Sequence, residues 1–174
     1  MREGPGDDGT GGAGAASGGS AGDALSDATR GRLEEVRRGL LGLHGGLLDS
    51  ERRAYEQVYG RIGSSGELLQ LVLHHSWFAW LRPVSALAAR LEERLASRAD
   101  PAPTEGEAAA LLAQVRDLLR GSSDATAEGA EGSAAAAAAT AFGERYRLAL
   151  QQDPDVILAH AGVMRLLPPP EPAP

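Results

Sequence analysis

Leu33, Val36, Leu40, Leu43 and Leu47 recur at alternating spacings of three and four. That rhythm lays them along one face of an α-helix. It predicts a first helix that starts near Ser26 or Asp27 and runs to Tyr59, with Gly60 as its stop. Gly39, Gly42, Gly45 and Gly46 lie inside it, and each costs about 1 kcal/mol relative to alanine. A continuous but weakened helix is favoured over a kink at Gly45–Gly46. Gly39, Gly42, Gly46 and Ser50 form a strip beside the leucine seam where a second helix can approach closely.

Ser64 and Glu67 fit a capping box, in which hydroxyl and carboxylate satisfy backbone amides reciprocally. A helix is predicted from there to about Leu81. Residues 67–83 hold both tryptophans, one of the two phenylalanines and two of the four histidines. Aromatic side chains bury large areas, so this segment reads as a central helix packed on most faces. Pro83 imposes a kink or a fresh start. A third stripe follows at Val84, Leu87, Leu91 and Leu95, ending near Arg98. Thr104 and Glu107 form a second capping box before Leu111, Leu112, Val115, Leu118 and Leu119, with Gly121 as stop.

Residues 121–133 are Gly, Ser, Asp, Glu, Ala and Thr, the composition of a flexible linker. The alanine run 134–139 has helix propensity but little to pack. Phe142, Tyr146 and Leu150 mark a fifth helix from Thr140. Asp153-Pro154-Asp155 opens a sixth, with a capping side chain, proline at the first position and an acid at the positive end. Its apolar face is Val156, His160, Val163, Met164 and Leu167. The fold class is therefore all-α: a bundle of five to six helices. Residues 26–120 would form its core, and 134–167 a helical hairpin packed on it. The Gly/Ala-rich tail 1–25 and the Pro-rich tail 168–174 carry too little apolar surface to order.

Charge narrows the partners. The chain carries a net −7, yet residues 26–120 hold 13 arginines and 13 acids, leaving the excess acid at both ends. A neutral core with acidic ends offers no positive face for nucleic acid or for an anionic membrane. No apolar run is long enough to span a bilayer or to serve as a secretory signal, so the cytoplasm is the expected location. Cysteine is absent, which excludes disulfides and thiolate chemistry. Lysine and asparagine are absent too, while arginine, alanine and glycine abound. That bias fits a genome of high GC content and is no phosphate-binding signature.

The chemistry-bearing residues are few. His44, His75 and His160 all project towards apolar faces, and three inward histidines invite a metal, haem or small-molecule hypothesis. The di-iron carboxylate arrangement needs Glu-x-x-His, but Leu41, Leu71, Val72 and Ile157 stand three residues before the four histidines. Hydrogen-bonded core histidines without a cofactor are the simpler reading. Glu51 projects into the apolar half of the first helix and needs a cation or hydroxyl, with Arg82 a candidate for holding it or stacking on a tryptophan. Tyr55, Trp77, Phe78, Trp80 and Arg82 are core or interaction residues. Gly-x-Ser-x-Gly is matched only at 18–22, through the low complexity of the N-terminal tail, and no Walker loop or His-Glu-x-x-His occurs.

The segments 47–56 (LLDSERRAYE), 66–71 (GELLQL), 77–83 (WFAWLRP) and 153–160 (DPDVILAH) resemble an uncharacterised group of small bacterial all-helical proteins. The resemblance spans roughly residues 33–98 and 142–167 and implies no activity or ligand. The residues themselves favour a non-enzymatic protein acting through protein–protein interaction or self-association. The alternative is a ligand-binding bundle built on His44, His75 and His160. One expectation is sharp: His75 and His160 buried and hydrogen-bonded, with Glu51 on the inner side of the first helix.

Overall fold

A computed structural model describes residues 24–96, 102–120 and 134–169. Six α-helices and no strand occur among them. The first, α1 (Asp27–Tyr59), is capped by Ser26, whose hydroxyl accepts the Thr29 N–H at 3.2 Å. It stops at Gly60, where φ is +92°, a conformation that favours glycine. Its seam of Leu33, Val36, Leu40, Leu43 and Leu47 is wholly buried. Each such side chain contributes about 1.5–3 kcal/mol by leaving water.

The seam packs mainly on α3 (Arg82–Leu95) and on α6 (Pro154–Leu166). A Cβ on Gly39 would lie 3.1 Å from Val163, and one on Gly46 would lie 3.9 Å from Val156. Rising numbers on α1 thus meet falling numbers on α6, and the two helices run antiparallel. The glycine strip does admit a close neighbour, but that neighbour belongs to the same chain. Gly39 and Gly46 are therefore not a free contact surface, and α6 is part of the central packing.

The helix expected over 64–81 is broken. α2 covers only Ser65–His74; His75 is extended (φ −84°, ψ 135°), and Ser76–Leu81 wind as a 3-10 helix that leads into α3. The His75 ring caps the new segment, its Nδ1 accepting the Trp77 N–H at 3.1 Å. α2 itself has no buried residue. The central helix is α1, and α2 is peripheral.

The two capping boxes form. Ser64 accepts from the Glu67 N–H at 3.2 Å, while the Glu67 carboxylate reaches one residue further back, to the Gly63 N–H at 2.8 Å. Thr104 and Glu107 exchange bonds of 3.1 and 3.2 Å at the start of α4 (Glu105–Arg120). The Glu105 carboxylate also accepts from Ser26 N–H and the Thr29 hydroxyl, tying the first turns of α1 and α4 together. α5 spans Ala134–Gln152, so the alanine run joins the helix expected from Thr140. Asp153 then caps α6 with one oxygen and pairs with Arg53 of α1 through the other.

Residues 1–23, 121–133 and 170–174, which hold most of the expected tails and all of the expected linker, lie outside the described residues. Leu25 and Pro168 are described and bonded: the Leu25 N–H donates to Pro103 O, and Arg116 donates to Pro168 O. Among the described residues no helix is long and apolar enough to cross a membrane.

Candidate functional site

The 3-10 segment determines where the aromatic residues go. In a 3-10 helix residues three apart lie one above the other, so Trp77 and Trp80 share a side. An α-helical projection sets them about 60° apart. Phe78 and Trp80 are buried and Trp77 is half-buried. Phe78 packs on Tyr55 at 5.5 Å between ring centroids, and Trp80 packs on Phe142 of α5 at 5.8 Å. Trp77 meets the edges of Tyr55 and Tyr59 on α1, at 5.9 and 5.8 Å.

Glu51 comes to this aromatic group from α1, with only 13% of its side chain exposed. The inward placement expected of it holds. Its cation is Arg145 of α5, 3.3 Å away, rather than Arg82. The Arg145 guanidinium also lies 5.1 Å over the Trp77 ring, a cation–π stack. Arg82 is exposed and donates to the Leu73 carbonyl. Both roles foreseen for an arginine are filled, but from α5.

Burial pushes the Glu51 carboxyl above its ordinary range, and this outweighs the opposing pull of the Arg145 charge and of the Trp80 and Trp77 indole dipoles. Both buried indole N–H groups are turned towards the Glu51 carboxylate without closing a hydrogen bond of good geometry. Buried donors are nearly always paired, so this is the least satisfied polar spot of the described interior. Two clefts flank it. One, about 610 Å³, is polar and lined by Glu51, Arg53, Trp77, Arg145, Asp153 and Asp155 among others. The other, about 500 Å³, lies on the far side of Trp77 and Arg145.

The histidines occupy separate surroundings. His160 is half-buried, and its Nδ1 lies 2.7 Å from the Tyr146 hydroxyl. Burial pushes the Tyr146 hydroxyl up and the His160 imidazole down, which favours the uncharged form of both partners. The hydroxyl partner of His160 is the expected kind; full burial is not attained. His75 is also half-buried, and its bond is the cap on Trp77, because the helix that would have carried it inward ends at His74. His44 is half-buried on α1, and burial holds its pKa down. No group of three or more His, Cys, Asp or Glu among the described residues could hold a metal ion.

A different surface stands out for what it leaves uncovered. α2 carries Leu68, Leu69, Leu71, Val72 and Leu73 in ten residues; Leu68, Leu71 and Val72 are half-buried against the core, and none is fully buried. Leu69 and Leu73, one helical turn apart, are 55% and 51% exposed. Val58 and Tyr59, at the end of α1, are 63% and 59% exposed. Tyr59 and α2 meet at His75, whose ring lies 6.0 Å from that of Tyr59. No family model, curated protein or solved structure matches the chain.

Proposed function

We propose that the protein acts by association, binding a protein partner or a second copy of itself through α2, rather than by catalysis. The observation that carries this reading is a helix whose inner apolar residues, Leu68, Leu71 and Val72, are only partly covered by the core, while Leu69 and Leu73 stand exposed beside them. Isolated exposed leucines are common on protein surfaces. Two exposed leucines one turn apart, on a helix that buries no residue fully, make a larger patch, and contiguous patches of this kind mark contact sites. Its only acid is Glu67 and its only histidine His74, so little charge must be desolvated when the face is covered. Helix-in-groove recognition uses such i, i+4 anchors, here Leu69 and Leu73.

The test is light scattering across a concentration series, with a parallel pull-down, on the wild type and on the double variant Leu69→Glu/Leu73→Glu. Both positions are exposed, so the variant should keep its melting temperature. Concentration-dependent dimerisation, or a partner retained by wild type, should vanish in the variant. A wild type that stays monomeric and retains nothing that the variant loses would refute the proposal.

A further inference from the structure

The cleft of about 500 Å³ is enclosed by the 3-10 segment, the first turn of α3 and α5. Its walls are Trp77, Ala79, Trp80, Pro83, Ala86 and Ala141; its polar groups are Ser76, Arg82 and Arg145. No acid lines it, whereas the neighbouring polar cleft has three. The volume falls in the range of small-molecule sites, which are mostly apolar with a few placed polar groups.

The two arginines differ in how they are held. Arg145 is fixed by its stack on Trp77 and by Glu51, which touches it from the neighbouring cleft. Its guanidinium thus stands as a preset donor, with 41% of the side chain exposed. Arg82 donates to the Leu73 carbonyl and has no acidic partner among the described residues. Apolar walls, two cations and no acid make a place suited to an apolar anion.

We propose that this cleft binds a small aromatic carboxylate. Its ring system packs against the indoles and Pro83, and its carboxylate is held by Arg145 and Arg82. Charge-assisted bonds from guanidinium to carboxylate are the stronger class of hydrogen bond, and they supply the orientation that apolar walls cannot. The cleft shares no lining residue with the α2 surface.

Both tryptophans of the chain line the cleft, so occupancy has a direct signal. Naphthalene-2-carboxylate and its neutral carboxamide would be titrated into the full chain by calorimetry, with tryptophan fluorescence as a second readout. One-to-one saturable binding of the carboxylate is expected, at least tenfold tighter than that of the carboxamide. Arg82→Gln should weaken it about fivefold without changing the melting temperature, and Ala141→Phe should abolish it by filling the space while leaving both charges. Arg145→Gln should also lose binding; because that change removes the Glu51 ion pair, the Arg82 and Ala141 variants decide the matter. No saturable heat, equal affinity for acid and amide, or wild-type binding by Ala141→Phe would each overturn the proposal.

Discussion

Gly39, Gly42 and Gly45 sit within two turns of one helix yet answer to different constraints. A methyl group on Gly42 or Gly45 would meet nothing within 4 Å, while one on Gly39 would press on Val163 at 3.1 Å. Gly42→Ala and Gly45→Ala should therefore each stabilise the protein, by about 0.5–1 kcal/mol from helix propensity alone. Gly39→Leu should destabilise it by about 1–3 kcal/mol, because α6 must move away from α1. Chemical denaturation of the three variants checks the order; a Gly39→Leu protein as stable as Gly42→Ala would contradict the packing described. The strip was legible in the sequence as a place of close approach, but its occupant was not. Nothing in the pattern of α1 says whether a helix of the same chain or of another will fill it. The same holds for Glu51. Its need for a cation could be read from its place in the seam, but Arg145 lies 94 residues away and no local spacing joins them.

Elements bounded by local chemistry were the readable ones. α1 ends at Ser26 and Gly60 as its caps dictate, and the Ser64, Thr104 and Asp153 starts all form. The break at His75 was not readable, because residues 71–77 contain no proline or glycine. It follows from tertiary packing: Phe78 must reach Tyr55 on α1 while Trp80 reaches Phe142 on α5, and a 3-10 winding serves both. That winding brings the two indoles into line, where an α-helix would leave them about 60° apart, so their pairing was only partly legible in a helical projection. The His75 ring holds the start of the segment. His75→Ala removes the acceptor for the Trp77 N–H and should cost about 1 kcal/mol, the usual loss at a helix cap. His75→Asn, which keeps an acceptor, should recover most of it. Melting temperatures with amide exchange at Trp77 provide the measurement; equal exchange in wild type and His75→Ala would remove the cap from the account.

For the whole molecule, the buried titratable groups make stability depend on pH with a definite sign. Burial lowers the pKa of His44 and His160 from an ordinary 6.5. Below that value the unfolded chain binds protons that the folded chain resists. Stability then rises with pH across the window. The contribution of both histidines is complete above pH 6.5 and is lost as pH falls through their folded values. Glu51 works in the opposite direction. Its folded carboxyl titrates above the ordinary 4.5, so the native state takes up that proton first and gains relative stability as pH falls through its range. Glu105, held down by its bonds to Ser26 and Thr29, adds a loss only in stronger acid. Calorimetry at pH 7.5, 6.5 and 5.5 should therefore show a falling melting temperature. His44→Gln/His160→Gln should flatten that fall, and Glu51→Gln should leave it in place. Parallel profiles for wild type and the histidine double variant would show that neither ring is buried as described, because a solvated imidazole titrates alike in the folded and unfolded chain and leaves no slope to remove.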